Sequence, residues 1–265
     1  MATKRFLRAF VRWDGSGRVI AGSLIFRKNK PKVGNWSEVQ AYECCDPFLT
    51  TVAASLCVTL GTAGDFAILA DQTVTNTGDT VITGDLGLHP GTSVTGFPPG
   101  VVVGEQHVAD AVALQAQVDA TDAYNCLNAI PSTGVSNEDI GGETLTAGVY
   151  ESSSELDITG TLTLDGEGDP DAVFIFNIGS TLITATDAEV VLINGAQPCN
   201  VWWLVGSSAT LGTGTTMVGN IIAITSVTFV TGANLTGRAI ALGGAVTLDT
   251  NIVSICECSV DPCAA

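Results

Sequence analysis

Residues 201–252 read VWWLVGSSATLGTGTTMVGNIIAITSVTFVTGANLTGRAIALGGAVTLDTNI, and one short pattern recurs within them at nearly constant spacing. Thr210-Leu211-Gly212-Thr213 returns after 18 residues as Thr228-Phe229-Val230-Thr231, and after 19 more as Thr247-Leu248-Asp249-Thr250. Neighbouring positions keep the same register: Ser208 maps onto Ser226, Gly214 onto Gly232 and Gly219 onto Gly237. A period of about 20 residues is the mark of stacked supersecondary units, none of which can bury its apolar face alone.

Inside each repeat the residues alternate, as in Ala209-Thr210-Leu211, Val227-Thr228-Phe229 and Val246-Thr247-Leu248. That is the period of a strand, with the flanking apolar side chains turned to a core and the threonine turned out. Ser208, Ser226 and Ala245, two residues earlier, share the outer side with Thr210, Thr228 and Thr247. These six residues are the candidate surface-binding face, flat and built of small side chains. The second threonine of each motif, three residues on, falls at a corner where the coil turns. Stacking would set like residues about 4.8 Å apart between strands and about 6.7 Å apart along one strand.

Working outward, Thr73–Gly78, Thr80–Gly87 and Thr92–Gly100 read as further coils, with Thr80/Thr83 and Thr92/Thr95 repeating the motif. The stretch His107–Leu127 contains no Gly or Pro and predicts a helix, with Val108, Val112, Gln115, Val118 and Leu127 as its apolar stripe. About 21 residues would span roughly 32 Å, enough to lie along some seven coils. Coils then resume from Gly141, with Thr181-Leu182-Ile183-Thr184 as another ladder step. Strands on either side of the helix must therefore meet in space, so coil order need not follow chain order. The fold class is mainly β: a right-handed, discontinuous, triangular parallel β-solenoid with one long helix alongside and a small N-terminal β-hairpin.

Thirty glycines and only 14% charged residues suit tightly turning strands. The net charge of −17 is unevenly divided. Nine of the ten bases (Lys4, Arg5, Arg8, Arg12, Arg18, Arg27, Lys28, Lys30 and Lys32) precede residue 33, and Arg238 is the tenth. Residues 1–45 form a basic segment with the hairpin Phe10–Trp13 and Arg18–Ala21, and those nine bases are its candidate docking residues; residues 46–265 form the solenoid domain. The acidic remainder argues against nucleic acid, and no stretch is long and apolar enough to span a membrane. Charged residues interrupt the first twenty positions, so no secretory signal is read there. The cysteines (44, 45, 57, 126, 199, 256, 258 and 263) lack zinc spacing. Either a disulfide clip at the solenoid ends or reduced thiols would fit them. Asp165-Gly166-Glu167-Gly168-Asp169-Pro170-Asp171 has the alternating acids of a calcium loop without the downstream Glu, and reads as an acidic turn. No convergent acid, base or nucleophile is seen, so no catalytic residue, metal or cofactor is expected and the chain is not read as an enzyme.

Residues 60–255 resemble the bacterial and fungal ice-binding protein family. The likeness rests on Leu60-Gly-Thr-Ala-Gly-Asp-Phe-Ala-Ile-Leu69, Thr83-Gly-Asp-Leu-Gly87, Val173-Phe-Ile-Phe-Asn-Ile-Gly-Ser180, Cys199-Asn-Val-Trp-Trp203, Gly206–Thr213 and Gly244–Thr250. The resemblance implies a right-handed triangular solenoid, no catalysis and, in many members, adsorption to ice through a flat face. The basic segment is weakly similar to attachment segments of tailed-phage virion proteins. Together these give the leading expectation of a non-enzymatic display protein, homo-oligomeric, anchored by its basic segment to virion or filament subunits at an extracellular or virion surface. The alternative is a soluble antifreeze protein that adsorbs to ice through the Thr/Ser face; a polysaccharide-active enzyme stands third.

Overall fold

The computed structural model describes residues 10–13, 19–23, 60–136 and 138–256. The chain divides into two units, 1–42 and 43–265. The first holds an antiparallel pair, Phe10–Trp13 and Val19–Ser23, with Phe10 opposite Ser23 and Arg12 opposite Ala21. Of the candidate docking residues, the Arg12 backbone lies in this pair; Lys4, Arg5, Arg8, Arg18, Arg27, Lys28, Lys30 and Lys32 lie outside the described residues.

In the second unit the coils lay their strands on three parallel ladders, and the level of Val246–Asp249 and Ile252–Ser254 takes its third strand, Phe66–Ala70, from before the helix. The first ladder, the threonine face, stacks Leu156–Ile158, Leu182–Thr184, Ala209–Leu211, Val227–Phe229, Val246–Asp249, Thr73–Thr77 and Ser93–Thr95 in that spatial order. A second ladder, later covered by the helix, includes Gly148–Ser152, Phe174–Ile178, Val201–Val205, Phe66–Ala70 and Asp85–Leu88. The third includes Thr161–Asp165, Glu189–Ile193, Ile252–Ser254, Val81–Thr83 and Val101–Val103. Two long strands, Thr216–Ala223 and Asn234–Ala241, run through the corner between the second and third ladders. Gly219 and Gly237 sit at that bend with φ of 103° and 152°. A Cβ on Gly237 would run into the Gly219 carbonyl, so the corner admits no side chain there.

Coil order does depart from chain order. Val246 pairs with Val74, Ala239 with Ile68 and Ile252 with Val81, so the coils before the helix stack on the last coils after it. Along the inner side of the covered ladder, Tyr150, Phe176 and Trp203 lie in register and give way to Ile221, Ala239 and Ile68. Phe176 stacks on Trp203 at 4.2 Å, and the Trp203 indole donates to the Val218 carbonyl at 2.9 Å, satisfying its one polar atom inside the core.

The helix is Ala111–Asn128, 18 residues long. Its N-terminus is displaced from the sequence expectation: His107 and Val108 belong to the strand Gln106–Val108, and Asp110 caps the helix by accepting from the Ala113 N–H at 2.9 Å. The expected stripe is also corrected. Ala113, Ala116, Ala120, Ala123 and Leu127 are buried, whereas Val112 and Val118 are 40% and 45% exposed and Gln115 is exposed. The reason lies in the opposing surface, where Trp202, Leu204, Ile222, Ile240, Leu69 and Phe66 already supply the bulk, so only a small-residue helix face can approach. Eighteen residues give about 27 Å, matching about 24 Å for the five steps between the six strand levels beneath it.

Enlarging this contact tests the arrangement. Ala120→Leu is expected to cost about 1–3 kcal/mol in urea unfolding through overpacking, whereas Val118→Ala, on the exposed side, should stay within about 0.5 kcal/mol of the parent.

Candidate functional site

The threonine face is built by register. Thr210 pairs with Thr228, Thr228 with Thr247, Thr247 with Thr75 and Thr75 with Thr95, giving one row of threonines across five coils. The row crosses the seam between the last and first coils without a shift. Beside it runs a second column: Ser208, Ser226 and Ala245, which lie two residues ahead of Thr210, Thr228 and Thr247, continued by Thr73 and Ser93. Beneath, Ala209, Leu211, Val227, Phe229, Val246, Leu248 and Val74 are buried at 0–1% exposure and hold the sheet from inside. β-Branching restricts each threonine to few rotamers, so the row is stiff as well as regular.

Among the described residues, no side-chain hydrogen bond engages the hydroxyls of Thr75, Thr95, Thr210, Thr228 or Thr247, and they are left for water. Other hydroxyls are spent on the fold. Thr231 and Thr250, at the corners as expected, both donate to the Asp249 carboxylate, and the Ser226 Oγ accepts from the Ala245 N–H at 3.2 Å.

The row ends in a different chemistry. Thr210 pairs on its other side with Ile183, and Ile183 with Asp157. The ladder step expected at Thr181/Thr184 is thus shifted: Ile183 takes the outward place, and Thr184 points inward at 3% exposure. There the Thr184 Oγ1 lies 2.6 Å from Thr215 Oγ1 and accepts from the Gly212 N–H at 2.8 Å, a buried pair that closes the corner. Acids gather at this end. Burial and the neighbouring charges of Glu155, Asp139 and Glu138 push the Asp157 carboxyl up. Burial pushes Asp139 up too, but N–H donation from Gly141 and Thr159 outweighs it and holds that carboxyl below its ordinary value.

All six candidate residues, Ser208, Thr210, Ser226, Thr228, Ala245 and Thr247, therefore stand on one face, in two columns. Sequence reasoning missed Thr75, Thr95, Thr73 and Ser93. The signal was present, since Thr73-Val74-Thr75 and Ser93-Val94-Thr95 copy Ser226-Val227-Thr228, but only the seam register brings them alongside. The Thr80/Thr83 motif is no part of this face: Thr80 is buried at 0% and its hydroxyl accepts from the Asn251 N–H at 3.1 Å, while Thr83 lies on the third ladder. In the acidic turn, the Asp165 carboxylate accepts from the Glu167 N–H and the Asn194 side chain, and Asp169 accepts from the Asp171 N–H. Among the described residues no group of three or more His, Cys, Asp or Glu is placed to hold a metal ion.

Fold and face together define a parallel β-solenoid with one side closed by a helix and another that presents a flat, hydroxyl-bearing, charge-poor sheet to solvent. The chain belongs to the ice-binding-like family, whose sequence profile matches residues 68–254. It is 54% identical over 209 residues to the ice-binding protein of Nostoc sp. (strain HG1), covering 78% of this chain and 77% of that one. With ice-binding protein 1 of Shewanella frigidimarina it shares 39% identity over 228 residues, 74% of this chain and 26% of that one. The crystal structure of an ice binding protein from an Antarctic biological consortium superposes with a TM-score of 0.74 at 48% identity, covering 76% of this chain and 91% of that chain.

These relatives overturn the leading expectation from sequence. The relatives named above are ice-binding proteins by name, not virion or filament components. The display role, the virion or filament partners and the virion-surface location are withdrawn. The charge split that prompted them rests on residues 1–45, whereas the family match rests on the solenoid. Among the described residues no helix is long and apolar enough to cross a membrane.

The two kinds of threonine should separate in stability measurements. Thr184→Val, which leaves the Gly212 N–H without its acceptor and the Thr215 hydroxyl with the Ala185 carbonyl alone, is expected to cost about 1–3 kcal/mol in urea unfolding. Thr228→Val, which removes a hydroxyl with no intramolecular partner, should change stability by less than about 0.5 kcal/mol.

Proposed function

We propose that this chain adsorbs to ice through the face carrying Thr75, Thr95, Thr210, Thr228 and Thr247, acts by binding rather than catalysis, and works outside the cell where water freezes. The observation that carries this reading is the in-register row of five threonines with unengaged hydroxyls and no acid in that row or in the column of Ser208, Ser226, Ala245, Thr73 and Ser93; Asp249, two residues past Thr247, is taken up by the Thr231 and Thr250 hydroxyls. An ordered water layer needs anchors at fixed, repeating positions, and stacked parallel strands supply them about every 4.8 Å in one direction and about every 6.7 Å in the other. Each threonine offers a hydroxyl to hold one water and a methyl that loses contact with liquid water on adsorption. A carboxylate in the row would instead keep its own hydration shell and resist the lattice. Asp157, and Glu155 two residues before it, mark one limit of the surface, where Ile183 interrupts the hydroxyls. The match to proteins named for ice binding supports the same reading.

Thermal hysteresis and ice-crystal shaping test it. The parent chain should show both; Thr228→Tyr, which breaks the flat row without entering the core, should abolish them at unchanged Tm. Thr236→Tyr, an exposed change on the third ladder, should leave them intact. A parent without hysteresis would sink the ice reading, and the reverse pattern between the two variants would assign the wrong face. Ile183→Thr adds a sixth rung and is expected to raise hysteresis at equal protein concentration.

A further inference from the structure

Beyond Lys32 the chain has a single base, Arg238, and it sits where the coils before and after the helix meet. Its Nε and Nη2 donate to the Gly64 carbonyl at 2.9 and 2.6 Å, while Nη1 donates to the Asn220 Oδ1 at 3.0 Å and to the Cys256 Sγ at 3.1 Å. Asn220 in turn donates from Nδ2 to the Cys199 carbonyl at 3.0 Å. Register explains the cluster. Asn220 pairs with Arg238, and the pairing of Thr236 with Ser254 carries Cys256 to the level beside Arg238. Cys199, in the short 3-10 turn Pro198–Asn200, meets Cys256 through a hydrogen bond between the two side chains. Cys199 and Cys256 are 5% and 4% exposed.

Two adjacent sulfurs with a guanidinium on one of them have distinct chemical roles. The hydrogen bond from Cys199 lowers the Cys256 thiol most; burial opposes this, and the charge and hydrogen bond of Arg238 reinforce it, bringing the group to about 6. Cys256 is thereby the nucleophile of the pair and Cys199 the resolving thiol.

We propose that Cys199 and Cys256 are an oxidisable pair that closes to a disulfide by exchange with an external disulfide of the glutathione class, Cys256 being the sulfur that attacks. The Cys256 thiolate forms a bond to one sulfur of the external disulfide and expels the other as a thiolate. Cys199 then gives up its proton and attacks the Cys256 sulfur, expelling the second external thiolate. Two protein thiols are oxidised and one external disulfide is reduced to two thiols. The product ties the end of the last coil to the turn that enters Val201–Val205. It closes a loop between positions 57 apart in the chain, which contains the strands Asn234–Ala241 and Val246–Asp249, on which the coils preceding the helix stack. The cluster lies at the corner between the second and third ladders, beside Gly219 and Gly237, so the clasp acts there and not on the threonine face.

The full chain, reduced and then equilibrated with oxidised glutathione at pH 7, is digested without reduction and mapped by mass spectrometry. A peptide containing Cys199 joined to one containing Cys256 is expected, together with a Tm about 5–10 °C above that of the reduced protein. In Cys199→Ser, glutathione should remain on Cys256; in Cys256→Ser, its attachment to Cys199 should be slower by about tenfold or more. Recovery of both cysteines as thiols after oxidation, or joined to other cysteines, overturns the pairing. Equal rates in the two variants overturn the choice of attacking sulfur.

Discussion

Parallel pairing between the last coil of the chain and the first is the contact on which the rest of this structure depends. Val246 against Val74 and Thr247 against Thr75 join two stacks that the helix separates in sequence. Without that seam the threonine row breaks into a group of three and a group of two, and Leu69 and Ile240 no longer form one floor under the helix. The seam is held from several sides. Arg238 reaches across to Gly64, and the buried Asn251 takes Thr80 through its N–H while its amide donates to the Val230 and Ala233 carbonyls. These bonds reach backbone groups at the turns of the coils, among them the Gly64 and Ala233 carbonyls and the Asn251 N–H.

Charge placement follows from the same geometry. A chain of net charge −17 must keep its acids from one another and from any surface that meets a lattice. The structure puts many of them at turns, where N–H groups receive them: Asp139 at Gly141 and Thr159, Asp110 at Ala113 and Asp85 at Glu105. Asp110 is held below its usual carboxylate range first by the Ala113 N–H and then by His107. Where acids crowd, at Asp157 near Glu155, Asp139 and Glu138, the threonine row has already stopped.

Much of this was legible in the sequence, and the exceptions share a cause. The 18- and 19-residue steps gave the coil, the alternation around Thr210, Thr228 and Thr247 gave the outward side, and the helix break in the pattern gave the discontinuity. What could not be read locally was which strands meet. Thr75 and Thr95 carry the same Val-Thr signature as Thr228, yet their membership of the row is a matter of register across the seam. Thr184 failed for a related reason: the Thr-x-x-Thr spacing was kept at Thr181 and Thr184, but the register sets Ile183, two residues after Thr181, opposite Thr210, so Thr184 falls opposite the inward Leu211. The helix stripe failed because periodicity identifies an apolar side but not the space left for it. Alanines win where the sheet beneath supplies Trp202 and Leu204. The display role was drawn from the charge of residues 1–45, which says nothing of what the solenoid itself recognises.

The seam also sets the order in which the molecule can come into being. Its contacts join residues as far apart as Thr80 and Asn251, separated by 171 positions, and Gly64 and Arg238, separated by 174. Closing loops of that length costs entropy before any contact rewards it, so pairing of this kind forms late and slowly. On the ribosome the coils of residues 60–108 emerge first and must wait, with strand edges open, for residues 234–254 to be synthesised. During that interval they present unpaired parallel edges, the surface that most readily joins other nascent chains. A threonine plane that spans the seam is therefore acquired in one step, at the close of folding, and a partly made chain carries none of it in finished form.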